Sequence, residues 1–241
     1  GGLIAVRLMT GENGENADEL IGAALCNAED DIILVSKLGM SLKFQANDEQ
    51  LRPMGRQTAG VQGMKFREGD ELLAMDVVWG DSDKDLFVVT NEGFAKRTAI
   101  SEYRLQGRNG FGVKAVQLAE GRGSLVGAVI VEEDDQIMAI MKSGKVIRSN
   151  VDEVKRTGRT TQGVTFAKPD KNDEIISIAR NEEKDDESAE SGESAEKTES
   201  AEKTESAESG TNATVNEGAS ASSEAATEAN AGNGDGENVE A

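Results

Sequence analysis

Three copies of one short motif place arginine at regular spacing, which is the pattern in this chain best suited to binding phosphate. The copies read "GRQTAGV", "GRNGFGV" and "GRTTQGV" and begin at Gly55, Gly107 and Gly158. Glycine at these positions is explained by a repeated turn, because glycine adopts positive φ without steric cost. A turn makes no demand for guanidinium groups, which pair well with phosphate. The candidate phosphate ligands of the motif are Arg56, Arg108 and Arg159.

Two further rows of cations recur in step with this motif. One row lies four positions after the hairpin glycines and consists of Lys43, Arg97 and Arg148. The other recurs every 52 residues and consists of Arg52, Arg104 and Arg156.

These rows predict a basic band if the repeats stack in a ring. Each recurring position then returns at one height, so the cations lie side by side along an edge. Such a band fits the phosphate backbone of a bent duplex, which is bound through charge and shape and not through base identity. The alternative is that the side chains are solvated and paired with nearby acids.

The elements that position these cations are three sequence units of about 50 residues each. The first unit spans residues 19–69, the second 70–123 and the third 124–180. Each contains a short run of bulky apolar residues ("IILVS", "LFVVT" or "IMAIM") followed by a glycine typical of a hairpin. No long stretch has helical periodicity. The sequence therefore predicts an all-β, propeller-like fold of four-stranded blades, with a β-sandwich of tandem hairpins as the alternative.

The two ends of this repeat region match incomplete units. Residues 1–18 resemble the end of a preceding blade and its linker. "DEIISIAR", at the end of residues 124–180, resembles the first strand of a closing or next blade. We therefore expect interlocking blades, in which one unit completes the sheet of another, and a fragment that lacks the first blades.

Residues 181–241 differ sharply in composition from the units. They contain three basic and 18 acidic residues, which is −15 of the total charge of −20, and no aromatic residue. A segment with so little apolar surface cannot offset its conformational entropy, so we predict a disordered acidic tail. The tail either competes with a polyanion for the basic band or only improves solubility.

The composition argues against a catalytic or metal site. The chain has no histidine and a single cysteine, which excludes the familiar zinc spacings and removes the commonest general base. Cys26 lies in the small, apolar "GAALCNA" and is predicted to be a buried thiol. One cysteine, no signal peptide and no membrane-spanning run favour a cytoplasmic protein without membrane contact.

Several long segments identify a family. "DELIGAALC", "LRPMGRQTAGVQGMKF", "GFAKRTAISEY" and "LVGAVIV" closely resemble the C-terminal domain of DNA gyrase A subunits, of actinobacterial type. The resemblance implies a β-pinwheel that wraps double-stranded DNA around a basic rim, so that an ATP-hydrolysing type IIA topoisomerase introduces negative supercoils.

The same resemblance implies the partners and the division of labour. The holoenzyme would be an A2B2 heterotetramer with the gyrase B subunit, which uses ATP and Mg²⁺, while this fragment binds no cofactor. Catalytic residues would lie in the N-terminal domain of the gyrase A polypeptide, so the fragment carries none, and Tyr103 is not the catalytic tyrosine. The alternatives are the C-terminal domain of the topoisomerase IV A subunit, or a propeller-like scaffold for protein partners.

One copy of the motif resembles the hallmark box of the family, Gln-Arg-Arg-Gly-Gly-Lys-Gly. In "QGRNGFG", Gln106, Arg108, Gly110 and Gly112 match the box, but two of its three cations are missing. The resemblance adds one residue to the expected DNA-binding set. That set is Lys43, Arg52, Arg56, Arg97, Arg104, Gln106, Arg108, Arg148, Arg156 and Arg159.

Overall fold

The computed structural model describes residues 2–9, 11, 18–80 and 83–181, and the predictions for the acidic tail beyond Asn181 lie outside these residues. The described chain is built from short β-strands, with one helical turn, α1 (Asp48–Leu51), and two 3-10 turns, Ile100–Glu102 and Val151–Glu153. The all-β prediction is therefore confirmed.

The strands form antiparallel hairpins at the predicted places. The first six are β1 (Asp31–Ser36), β2 (Met40–Gln45), β3 (Leu72–Val78), β4 (Asp85–Thr90), β5 (Phe94–Ala99) and β6 (Val113–Lys114). The others are β7 (Leu125–Val131), β8 (Gln136–Met141), β9 (Val146–Asn150), β10 (Val164–Thr165) and β11 (Ile175–Asn181). The tight turns β1–β2, β4–β5 and β8–β9 each need a left-handed residue, which Gly39, Gly93 and Gly144 supply with φ of 83°, 84° and 85°.

The strands exchange between sequence units. The first sheet has the order β3-β1-β2-β6 and the second β10-β5-β4-β7, while the third contains β11-β8-β9. In the first sheet and again in the second, the two middle strands are the hairpin of one unit. The opening strand of the following unit lies on one side of this hairpin, and the closing strand of the following unit lies on the other. This exchange is the interlocking that the repeat pattern predicts.

Adjacent sheets pack face to face through alternating side chains. Ile33 and Val35 of the first sheet join Leu86 and Val88 of the second in one buried cluster. The next residue along β4, Phe87, points to the opposite face and packs in a second cluster with the third sheet. Alternate residues of a strand point to opposite faces, so each middle strand contributes to the cores on both sides.

One edge of the sheets differs from the other. β3 contacts β7, and β7 contacts β11, so the sheets converge along the edge that these strands form. We call this the inner edge. The opposite, outer edge carries β6 in the first sheet and β10 in the second.

Residues 18–27 form no strand, although they align with the opening strands of the later units. Leu20 and Leu25 are exposed, and Cys26 is exposed as well, so its predicted burial is wrong. The opening strands β3 and β7 pair with the hairpin of the preceding unit. No such hairpin precedes Leu20 within the described residues, so this segment has no strand to pair with and its apolar side chains stay in contact with solvent.

Candidate nucleic-acid interface

The second and third copies of the Gly-Arg motif form loops against the outer edge. Before the second copy, Leu105 bridges Lys43 of β2, and the amide of Gln106 donates to the Lys43 carbonyl at 2.8 Å. After the loop, the chain reverses and Val113 pairs with Ser41. The residues between Leu105 and Val113 therefore project from the edge of the first sheet.

The third copy repeats this geometry one sheet further along. Arg156 bridges Arg97, the amide of Thr157 donates to the Arg97 carbonyl at 2.9 Å, and Val164 pairs with Ala95. Two successive units thus present equivalent loops on the same edge.

The last residue of each loop before the valine must be glycine, because the backbone there packs closely against the neighbouring strand. Gly112 has φ of 71°, and a Cβ there would lie 2.1 Å from the carbonyl oxygen of Ser41. Gly163 has φ of 81°, and its Cβ would lie 2.5 Å from the carbonyl oxygen of Ala95. A side chain would clash with backbone at both positions, so the loop could not pack there.

The arginines of these loops join one unit to the previous one. Nη1 of Arg108 donates to the carbonyl of Gln62 at 2.8 Å, and Nη1 of Arg159 donates to the carbonyl of Lys114 at 3.2 Å. Gln62 and Lys114 occupy the same motif position, directly after Gly-Val. Arg56, in the first copy, is exposed and has no hydrogen-bond or ion-pair partner among the described residues.

The backbone of each loop is held by the helical turn of the preceding unit. The amide of Arg108 donates to Oε1 of Gln50 at 3.0 Å, and the amide of Arg159 donates to Oε2 of Glu102 at 3.2 Å. Gln50 and Glu102 are equivalent residues of the helical turns after β2 and β5. The arginine after the first glycine is thus held at two points. Its backbone amide binds a side chain of the preceding unit, and its guanidinium binds a backbone carbonyl of that unit.

The row of Lys43, Arg97 and Arg148 lies on the faces of the sheets and not on the outer edge. These residues pair across their hairpins with Ile33, Phe87 and Met138. Cross-strand partners share a face, and Ile33 and Phe87 face the next sheet. The prediction of a solvent-exposed band is therefore wrong for Arg97.

The three members of this row differ in exposure because the packing against them differs. Arg97 is only 7% exposed and lies 3.6 Å from Asp85 and 3.0 Å from Glu133. Lys43 is half-buried and lies 3.4 Å from Asp31. Arg148 is exposed, because no described sheet covers its face of the third sheet.

In the row of Arg52, Arg104 and Arg156, the constant spacing of 52 residues selects the wrong residue in the third unit. Leu105 and Arg156 make equivalent bridges, so the structural counterpart of Arg104 is Lys155. Arg156 instead binds acids, with Nε 2.8 Å from Asp85 and Nη1 3.0 Å from Asp83. The third motif starts one residue earlier than the spacing between the first two motifs predicts. This shift is the sequence signal that points to Lys155 in place of Arg156. The exposed row is Arg52, Arg104 and Lys155.

Burial shifts the ionisation of two groups near the loops. Burial raises the pKa of Asp85, although the guanidinium groups of Arg156 and Arg97 oppose this shift. Lys96 is buried beneath the third loop, where its Nζ donates to the carbonyls of Ala115 and Arg159. Burial lowers the pKa of Lys96 to about 8, because the charged ammonium loses its hydration.

Additional cations and aromatic rings surround the loops. The Arg67 guanidinium lies 5.7 Å from the ring centroid of Phe111, at the tip of the second loop. Arg122 lies 4.2 Å from the ring centroid of Phe94 and donates to the carbonyl of Gly163 at 3.2 Å. Neither arginine belongs to a recurring row, so the repeat pattern carries no signal for them.

The acidic residues that recur between units cross-link hairpin turns. Asp70 accepts a hydrogen bond from the Ser36 hydroxyl at 2.7 Å, and Glu71 lies 2.9 Å from Lys37. In the third sheet, Asp173 accepts from Ser143 at 2.6 Å in the same way. These acids therefore bind residues of the hairpin turns and not the cations of the outer loops.

The described residues contain no group of three or more histidine, cysteine, aspartate or glutamate side chains arranged to hold a metal ion. None of the helices in this part of the chain is long and apolar enough to cross a membrane.

Comparison with known proteins points to one family. The family described as DNA gyrase C-terminal domain, beta-propeller, matches residues 30–78, 84–132 and 135–182. The DNA gyrase A subunit of Streptomyces coelicolor is 53% identical over 190 residues, covering 79% of this chain and 22% of that protein. The gyrase A subunit of Mycolicibacterium smegmatis is 50% identical over 191 residues, covering 79% of this chain and 22% of that protein. The chain thus spans about a fifth of the length of these relatives.

Two solved structures share the fold. A DNA gyrase A C-terminal domain matches with a TM-score of 0.58 at 29% identity, covering 63% of this chain and 50% of that one. The C-terminal domain of a DNA topoisomerase IV matches with a TM-score of 0.59 at 22% identity, covering 64% of this chain and 47% of that one.

Proposed function

Since this chain belongs to the DNA gyrase C-terminal domain family, we propose that it binds duplex DNA along its outer edge and bends it into a wrap. The observation that carries this proposal is the recurrence of exposed cations beside equivalent loops on one edge of successive sheets. Arg104 and Lys155 lie beside the two loops, Arg52 stands at the same sequence position in the first unit, and Arg56 is exposed nearby in sequence.

The proposed binding depends on charge and not on base identity. Arginine and lysine side chains on successive sheets can each meet a phosphate, and every contact releases counterions from the duplex. No described helix is long enough to read a major groove, because α1 has only four residues.

In the whole protein, we propose that the wrap presents a second DNA segment to the cleavage site of the gyrase A polypeptide. The enzyme would be a cytoplasmic A2B2 complex with the gyrase B subunit, where ATP with Mg²⁺ would drive the introduction of negative supercoils. This chain supplies the DNA path and no catalytic group.

The proposal also includes Gln106 and the exposed Arg148 as secondary contacts, and it excludes three members of the expected DNA-binding set. Lys43 lies between sheets, where it pairs with Asp31. Arg97 is buried between acids, and Arg156 is held by Asp83 and Asp85. Arg108 and Arg159 are half-buried and engaged with carbonyls, so their part in DNA binding is to fix the loops.

The experiment that tests the function is a salt series of duplex binding, read by fluorescence anisotropy. We expect log affinity to fall steeply with log salt and to vary little with sequence. Replacing Arg52, Arg104 and Lys155 with alanine should lower the slope by about 2 to 3, since each lost phosphate contact removes about 0.9.

A matched control removes three exposed cations elsewhere. Lys37, Lys142 and Lys145 pair with acids beside hairpin turns, and replacing them with alanine should leave the slope nearly unchanged. Equal effects of the two triple variants would show that binding follows net charge alone. Absence of DNA binding by the unaltered chain would instead favour a scaffold for protein partners.

The topoisomerase IV alternative shares the fold, and a supercoiling assay distinguishes it. The complete gyrase A polypeptide, reconstituted with its B partner and ATP, should introduce negative supercoils into relaxed plasmid. Relaxation without supercoiling would support the alternative.

A further inference from the structure

The loop at the second motif displays one aromatic side chain on a rigid backbone. Phe111 lies at its tip and is 48% exposed. The amide of Asn109 donates to the Gly63 carbonyl at 2.6 Å, and the amide of Lys65 donates to the Gly110 carbonyl at 2.7 Å. The backbone on the N-terminal side of Phe111 is thus fixed to the exit of the first unit.

The other side of the tip is fixed by packing against β2. Gly112 has positive φ, and its backbone lies directly on the Ser41 carbonyl. Together with the guanidinium contact of Arg108 to Gln62, these contacts leave the loop little freedom to withdraw its aromatic side chain. A half-exposed phenyl ring held in this way retains an unfavourable contact with water.

The surroundings of the ring are cationic. Arg67 stacks over it at 5.7 Å from the ring centroid, and Lys65 is an exposed neighbour at the point where the loop is anchored. The equivalent positions of the other two motifs are Ala59 and Gln162, so the aromatic ring is a property of the second loop alone. An apolar tip between cations is the combination that proteins insert between DNA base pairs, where the flanking charges hold the phosphates.

We propose that Phe111 is a wedge that enters a base step of the bound duplex and bends the DNA at the second loop. This inference rests on the proposed function and deepens it, because it assigns a bending point to one loop. The favoured steps are pyrimidine–purine steps such as TA, which unstack most easily. The second loop therefore adds a preference for deformable DNA to a surface that otherwise contacts only phosphate.

The test measures unstacking directly, with potassium permanganate, which oxidises thymines that are not stacked. The full chain is bound to duplexes that contain TA steps and, for comparison, to duplexes that contain none. We expect thymines at TA steps to become reactive with the unaltered protein. The Phe111→Leu variant, which retains an apolar tip, should preserve this reactivity, and Phe111→Ala should return it to the level of free DNA.

A matched control removes another exposed aromatic residue with a cation beside it. Trp79 is 50% exposed, and Lys84 lies 5.9 Å from its ring centroid. We expect Trp79→Ala to leave the permanganate pattern unchanged. Thermal unfolding of each variant checks that the fold persists, and Phe111→Leu covers the case in which Phe111→Ala fails to fold.

The outcomes separate the wedge from the DNA-binding function. If the unaltered chain binds DNA and Phe111→Ala keeps the same reactive thymines, the wedge is refuted while DNA binding stands. Reactivity lost equally with leucine and alanine also refutes it, because an apolar tip would then not suffice. If the unaltered chain binds no DNA, the proposed function itself fails. Binding without any reactive thymine also refutes the wedge.

Discussion

The guanidinium of Arg159 donates a hydrogen bond to the backbone carbonyl of Lys114 at 3.2 Å, and so ties the third unit to the second. Arg108 makes the same contact to Gln62 one unit earlier. The repeated arginine thus has a structural role wherever a preceding unit offers its carbonyl. This role accounts for a guanidinium at a position where a turn alone would not require it.

Removing either of these two guanidinium groups should destabilise the fold. We expect Arg108→Met and Arg159→Met each to lower the free energy of unfolding by about 1 kcal/mol, since a charge-assisted hydrogen bond between units is lost. Urea unfolding provides the measurement. Arg56→Met is the control and should change stability by less than about 0.5 kcal/mol, because Arg56 is exposed. Equal losses in all three variants would contradict the inter-unit role.

Substitution of the arginine in the first motif should weaken DNA binding and leave the stability of the fold unchanged. Arg56→Ala is expected to weaken duplex affinity by about 1 kcal/mol, on the order of one charged contact, with an unchanged unfolding curve. Anisotropy titration at fixed salt measures this effect. An unchanged affinity would remove Arg56 from the interface.

The buried pair of Arg97 and Asp85 predicts the largest effect of a single substitution. Arg97→Met leaves the carboxylate of Asp85, which is 1% exposed, with Arg156 as its remaining counter-charge, so we expect a loss of about 2 to 3 kcal/mol. Arg148→Met, at the exposed equivalent position of β9, should cost less than about 1 kcal/mol. Comparable losses in the two variants, measured by urea unfolding, would show that Arg97 is not the buried member of the row.

The buried Lys96 should make the free energy of unfolding depend on pH, with greater stability at higher pH. Its pKa is about 8 in the folded protein against 10.5 ordinarily, so between these values the unfolded chain binds more protons. Raising the pH from 8 to 10.5 should therefore stabilise the protein relative to Lys96→Met, by up to about 3 kcal/mol. The stabilisation is lost as the pH falls through 8.

The substitution suits this site, because Leu42 occupies the equivalent place in β2 and is fully buried. Unfolding curves of the two proteins at several pH values provide the measurement. A difference between them that does not vary with pH would indicate a hydrated ammonium group.

Deleting residues 182–241 should strengthen DNA binding at low salt. The deletion removes three basic and 18 acidic residues, so the net charge changes from −20 to −5. Because long-range repulsion of DNA is screened by salt, the gain should disappear near 1 M salt. Equal affinities of the full and shortened chains at low salt would leave the acidic segment with a role in solubility.

The sequence by itself determined the elements and their repetition. The hairpin glycines, the short apolar runs of β1, β4 and β8, and the motif spacing all act through neighbouring residues, so they can be recognised locally. The motif also predicted a repeated turn, and Gly112 and Gly163 are required by the close packing found there.

Only the tertiary structure decided which recurring cation meets solvent. Arg97 and Arg148 hold the same place in their units, yet a further sheet covers one and none of the described sheets covers the other. Lys155 takes the exposed position that the spacing assigned to Arg156, because the third motif follows the second at a distance one residue shorter than the second follows the first. Burial depends on which face packs against which sheet, a contact between residues far apart in the chain, and a repeated sequence does not encode where in the array its copy will lie.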